Sequence, residues 1–151
     1  MVQSVSRRPY QRQEELPMRN PIRNDNLGKL ILRLTVGTLI LLHGIFKLLH
    51  PESLDSISKM LTTVHLPQAI AYGVFVGEVI APLMVVLGFY SRLGGLLIFG
   101  NMVFALILAH RAQLFTLTAN GGWALELQGF YLFSGLAVLF LGSGRLALRP
   151  D

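Results

Sequence analysis

Four apolar runs dominate the chain, near residues 27–49, 68–90, 92–110 and 123–142. Each is about 19–23 residues long, enough for an α-helix to cross roughly 30 Å of hydrocarbon. Within a bilayer the backbone polar groups must be satisfied inside the segment, so the pattern predicts an all-α, polytopic membrane four-helix bundle. The first run is not a cleavable signal: a long polar tail precedes it, and it exceeds the length of a signal peptide's apolar core. Little more than Tyr90-Ser91-Arg92 separates the second and third runs, which predicts an antiparallel hairpin. Between the first and second runs, residues 50–67 place Leu54, Ile57, Leu61 and Val64 at three- and four-residue steps between Pro51 and Pro67. That spacing predicts a short interfacial helix lying on the membrane surface or capping the bundle. The loop 111–122 closes with Asn120-Gly121-Gly122, a turn signal, directly before Trp123, an aromatic suited to the interface.

Composition agrees with a membrane class and adds an orientation. Of the 151 residues 52% are hydrophobic and only 14% charged, against roughly a quarter charged in soluble domains. The chain has no cysteine, which excludes a disulfide, an Fe–S cluster, a covalently attached c-type haem and a thiol relay within it. The net charge is +5, and most of the excess lies in the first 29 residues and the last few. With four spans both termini share one side. Nine Lys and Arg (Arg7, Arg8, Arg12, Arg19, Arg23, Lys29, Arg92, Arg145 and Arg149) then face that side, against Lys59 and Arg111 on the other. The positive-inside rule makes the nine-residue side cytoplasmic. The polar tail 1–26, with Pro9, Pro17 and Pro21 among basic residues, is expected to be disordered and drawn to anionic membrane lipid. Nucleic-acid binding is set aside, because the tail's charge has the sign and place that topology requires and no reader fold accompanies it.

Inside the runs stand residues that hydrocarbon does not favour: Arg33, His43 and Lys47 in span one, Glu78 in span two, Asn101 and His110 in span three, Glu126 and Gln128 in span four. A charge at the centre of a membrane helix costs about 2.5–3.5 kcal/mol on insertion scales, so such groups face the bundle and find partners. At ~100° per residue Arg33, Gly37, Gly44 and Lys47 share one face of span one, with His43 beside it. Gly73 and Gly77 allow a neighbouring backbone close to Glu78. A rise of ~1.5 Å per residue puts Lys47, Glu126 and His110 within ~5 Å of the outer surface, Asn101 and Glu78 at ~14–15 Å, and Arg33 at ~24 Å. These depths predict a Lys47–Glu126 pair at the mouth and, below it, Glu78 bonded to Asn101 and to either His43 or Arg33. His43 and Glu78 are the candidate proton-handling groups, with Lys47 and Arg33 as fixed charges. A metal site is not expected, since His43 and His50 lie about 10 Å apart along one helix. Gly94, Gly95 and Gly100 on span three serve either internal packing or a homo-oligomer.

Leu42-His43-Gly44-Ile45-Phe46-Lys47, Gly77-Glu78, Gly88-Phe89-Tyr90-Ser91-Arg92, Gly121-Gly122-Trp123 and Gly142-Ser143-Gly144-Arg145 occur in order at the predicted span ends. Together they resemble the DoxX family of small four-helix bacterial inner-membrane proteins, over about residues 27–148. The resemblance implies a tail, 1–26, and one membrane domain, 27–148, in the bacterial inner (plasma) membrane. It also implies redox work. One branch resembles a subunit of thiosulfate:quinone oxidoreductase, and other relatives are linked to oxidative-stress complexes with a superoxide dismutase and a sulfurtransferase. The implied cofactor is a quinone and the implied partner an oxidoreductase, with Arg33, His43, Lys47, Glu78, Arg92, His110 and Trp123 at matching positions. Relatives often carry an acidic residue directly after Gly-Gly-Trp, whereas here Ala124 and Leu125 intervene before Glu126. The alternative is a non-enzymatic membrane scaffold or small-solute permease; whether the chain catalyses anything is left open.

Overall fold

The computed structural model describes residues 24–151. The expected disordered tail therefore lies, up to residue 23, outside the described residues. Asn24 caps the first helix, α1 (Asp25–Leu49), its side chain accepting the Leu27 N–H at 3.1 Å, and Asp25 complements the positive end of the helix dipole. The helix therefore starts two residues ahead of the apolar run that predicts it. Next come α2 (Ser53–Thr63), an irregular helical span (Gln68–Leu87), α4 (Ser91–Ala109) and α5 (Glu126–Leu141); the regular end of the irregular span, Ala81–Leu87, is α3.

Three of these helical stretches are long and apolar enough to cross a membrane, and α5 is a shorter apolar helix. At 1.5 Å per residue the 16 residues of α5 rise about 24 Å. The described residues form no named strand, only isolated bridges. α1 packs on α3 and α5, and α4 packs on α5 and α3. The core is Val36, Ile40, Ala81, Val85, Ile98, Met102, Tyr131 and Val138. The exterior is lined by exposed apolar residues such as Ile31, Leu42, Ile45, Leu83, Leu93, Ile107 and Phe133, the surface that a helix bundle presents to lipid.

Glycines set the closeness of α1 to its neighbour. A Cβ at Gly44 would collide with the backbone carbonyl of Glu78, and one at Gly37 with Val86 and the Pro82 carbonyl. The face of α1 that turns inward is Arg33, Val36, Gly37, Ile40 and Gly44.

The second span departs from a regular helix. Gln68–Gly73 is a 3₁₀ turn and Val76–Ile80 a π turn, in which the Ala81 N–H donates to the Val76 carbonyl. Pro82 supplies the reason. It has no N–H to give to the carbonyl four residues back, that of Glu78, so the regular ladder breaks there. Such π turns favour functional positions.

Both ends of the described chain meet at one end of the bundle, where the Arg145 N–H donates to Asn26 Oδ1 at 3.0 Å. The segment after α5 runs back along the α3–α4 turn, with Leu148 N–H to Leu87 O and Arg149 N–H to Gly88 O. That turn needs positive φ at Gly88 (70°) and Tyr90 (49°). The Asp151 carboxylate accepts the Arg92 and Ser143 N–H groups, each at 2.9 Å, and so caps the amino end of α4. The Arg92 guanidinium in turn donates to the Leu139 and Phe140 carbonyls at the end of α5.

Burial alone would raise the Asp151 pKa, but the Arg92 and Ser143 hydrogen bonds and the Arg92 charge outweigh it and hold the carboxyl below its ordinary 3.8. A folded value below the unfolded one means that this carboxylate stabilises fully above pH 3.8 and loses its contribution as pH falls through the lower folded value. Protection of the Arg92 and Ser143 amides, measured as exchange relative to the intrinsic rate at each pH, should therefore be steady near neutral pH and fall only below 3.8, and Asp151→Asn should abolish that acid step.

Candidate functional site

α2 does what its amphipathic pattern suggests and caps the bundle. Leu54 and Leu61 are buried beneath it, while Val64 lies beyond its last residue and is exposed. Below α2, between α1, the second span, α4 and α5, is a cavity of about 800 Å³. Its walls are largely apolar, from Ile40, Ile57, Met60, Leu97, Met102 and Phe104. Set into them are Lys47, Glu78, Asn101, His43, Gln128, His110 and Tyr131.

The geometry corrects the expected pairing. Lys47 Nζ donates to both oxygens of Glu78, at 2.6 and 2.5 Å, and not to Glu126. Lys47 has a long aliphatic stem that reaches down from the end of α1. The close Gly44 contact brings the second span up beside it, so the depth difference read from sequence is bridged by one side chain. Glu78 itself is 7% exposed, held on the π turn. Glu126 is exposed on the first turn of α5, its carboxylate folded over Gly122, beside a shallow groove with Trp123 and Leu32.

Arg33 is corrected as well. It does not approach Glu78 and does not line the cavity. It is 1% exposed at the opposite end of α1. Its guanidinium donates to Val85 O at 2.9 Å, Val86 O at 3.2 Å, Leu146 O at 3.1 Å and the Ser143 carbonyl. It bonds carbonyls in the last turn of α3, of which Val85 O also accepts the capping Gly88 N–H at 3.2 Å.

His43 meets Tyr131 edge to face, ring centroids 5.8 Å apart. Its Nδ1 lies 2.9 Å from the Leu39 carbonyl, which only accepts, so Nδ1 donates there, and Nε2 makes no hydrogen bond to a described residue. Asn101 packs on Gly77, where a Cβ would strike its carboxamide. That carboxamide makes no hydrogen bond to any described residue, and its Nδ2 is buried. His110 turns to Gln113, Nδ1 to Oε1 at 3.1 Å. Trp123 is half-buried along the groove beside Glu126, its Nε1–H donating to Leu114 O at 2.9 Å and its ring lying against Gly129.

A small polar set projecting from consecutive helices into one apolar cavity thus lies mainly on α1, the second span and α4. Those elements fall in the stretch that the DoxX family model matches, residues 28–111, more than half of the chain. The chain belongs to the DoxX family. No curated protein and no solved structure matches it. The match ends at residue 111, whereas the motifs that resemble the family continue to about residue 148. In this DoxX protein Arg33, His43, Lys47, Glu78, Asn101 and His110 lie inside the matched stretch, while Glu126, Gln128 and Tyr131 belong to α5 beyond it. Sequence reasoning missed Tyr131, one aromatic among several in the apolar run of α5, and the π turn under Glu78. Pro82 in the middle of an apolar run is the signal that points to the latter.

Proposed function

We propose that this DoxX protein is the membrane component of a redox system and that its cavity binds a quinone. The observation that carries this reading is the Lys47–Glu78 pair with the unpartnered Asn101 carboxamide on the wall of an otherwise apolar cavity of about 800 Å³. Ligand sites for small amphipathic molecules have this character, apolar walls with a few placed polar groups. The ion pair is neutral as a unit and does not repel an uncharged ring. Asn101 offers both a donor and an acceptor, whichever way its amide is turned. His43, held against Tyr131 on the cavity wall, offers the ring a further polar contact through Nε2. A bound quinone supplies coupled electron and proton transfer. With no cysteine in the chain, a thiol or persulfide reductant would have to act on a partner oxidoreductase, and this chain's own part is to bind the ring and move protons through His43 and Glu78. The family resemblance supports the redox class and the inner membrane as the site, and the distribution of Lys and Arg supports both termini in the cytoplasm.

Mass spectrometry of an organic extract from the protein in native nanodiscs tests the reading. Quinone should accompany the wild type stoichiometrically and fall to its share of the surrounding membrane in a folded His43→Ala variant. No enrichment in the wild type would reject it. Solute flux in liposomes, abolished by Glu78→Gln, would then identify a permease, and absence of both activities a scaffold.

A further inference from the structure

Three glycines line the cavity, Gly73, Gly77 and Gly100, and they differ in what a side chain would meet. At Gly77 a Cβ would collide with Asn101, so the contact between the second span and α4 requires glycine. At Gly73 and Gly100 a Cβ would meet nothing within 4 Å, and both residues are exposed on the flank of the bundle. Packing within the chain gives no reason for glycine at either place. Gly100 moreover lies mid-helix in α4, where glycine is the weakest ordinary helix former.

An interface between copies does not explain Gly100 well. Its neighbours along the same helix flank are Leu96 and Phe104, both large and both exposed, so no small-xxx-small seam passes through it. The other glycines of α4 are occupied internally, Gly94 against Val85 and the Ala81 carbonyl, Gly95 against the backbone of α5.

The second span and α4 stay together at the Gly77–Asn101 contact and part towards α2. Val76–Ile80 packs on α4, whereas Gln68–Gly73 packs chiefly on α2. The gap that results is edged by Ile70 and Gly73 on one side and by Leu96, Gly100 and Phe104 on the other. All five are exposed, and none is charged. At its inner end lie Asn101 and the Lys47–Glu78 pair. The passage thus runs from a polar recess to a flank that faces hydrocarbon.

We infer that the cavity is entered sideways from the bilayer, through a window between Gly73 and Gly100, and that this window holds the apolar isoprenoid tail of a ligand whose ring lies at Asn101. The inference rests on the quinone reading above and specifies how that ligand is held. A side chain at Gly100 or Gly73 would occupy space that the tail needs while leaving the ring pocket intact.

The test compares binding of a tail-less benzoquinone and of the same ring with a long isoprenoid tail, at matched mole fractions in nanodiscs, for wild type, Gly100→Leu and Gly73→Leu. Each variant should weaken the long-tailed probe by about tenfold or more, the effect of excluding a few methylene groups, and leave the tail-less probe unchanged. Thermal midpoints should not fall below the wild-type value, because a Cβ at either place meets no protein atom within 4 Å and leucine is the better helix former. Equal binding of the long-tailed probe to all three proteins would overturn the window, as would equal weakening of both probes. So would a change of oligomeric state in Gly100→Leu with tail binding intact, which would assign the glycine to a contact between copies. If neither probe binds the wild type, the quinone reading itself fails, a result distinct from failure of the window alone.

Discussion

Arg33→Met should lower the thermal midpoint of the purified protein by on the order of 10 °C. The guanidinium is 1% exposed and donates to four carbonyls, two at the end of α3 and two in the segment after α5. Hydrogen bonds from a charged donor contribute about 1.5–3 kcal/mol each, and an abandoned buried acceptor costs about 1–3 kcal/mol. Partial rehydration from the nearby membrane surface reduces the total, so a net loss of about 3–5 kcal/mol is expected. Methionine keeps the packing of the stem and removes only the donors. Arg33→Lys should recover a minority of the loss, because an ammonium cannot present the planar fork that spans carbonyls on two elements. Thermal melts in nanodiscs followed by Trp123 fluorescence decide this. A shift of a degree or two for Arg33→Met would show that these carbonyls find other partners and that Arg33 is not the clamp between α1, α3 and the closing segment.

Lys47→Met and Glu78→Leu should each destabilise by about 2–3 kcal/mol, and the double variant should return to within about 1 kcal/mol of wild type. Removing one partner leaves the other charge facing an apolar cavity; removing both leaves apolar groups against apolar walls. The single losses fall short of the ~3–5 kcal/mol of a fully buried pair because Lys47, with 22% of its side chain exposed near the end of α1, can turn its ammonium outward. The cycle also separates structure from function. A double variant that is stable yet no longer retains quinone shows that the pair is kept for the ligand. One that is stable and still retains it confines the pair to holding helices in register. Additive single losses would mean that the two side chains are not coupled.

Much of this fold is legible along the chain because it depends on local quantities. Run length and the placement of Lys and Arg are read without knowing any contact, and the helices lie where the apolar runs lie, to within a few residues at each end. Proline and glycine act locally too. Pro82 breaks the ladder under Glu78 wherever that helix packs, and Gly88 permits the turn into α4. The inward face of α1, through Arg33, Gly37 and Gly44, follows from helical periodicity alone.

The partners of the charges are a different matter. Rise per residue assigns each polar group a depth as though helices stood upright and side chains had no length. On that footing Lys47 belongs with Glu126, and Glu78 with Asn101. The long stem of Lys47 and the close approach of Gly44 to Glu78 set both assumptions aside. Arg33 shows the same limit: its partners are backbone carbonyls, which carry no mark in a sequence, and two of them lie in the segment after α5, over a hundred residues away.

The sequence by itself therefore determined an all-α membrane bundle with both ends of the described chain on one side, a capping amphipathic helix and the roster of polar residues within the spans. Those follow from the price of exposing backbone and charge to hydrocarbon, which each segment meets alone. Only the tertiary structure decided which groups meet, that Arg33 closes one end while Lys47 and Glu78 line a cavity at the other, and that Gly77 touches a helix where Gly73 and Gly100 leave a gap. Those depend on the rotation, tilt and separation of helices distant in the chain, and no single segment contains that information.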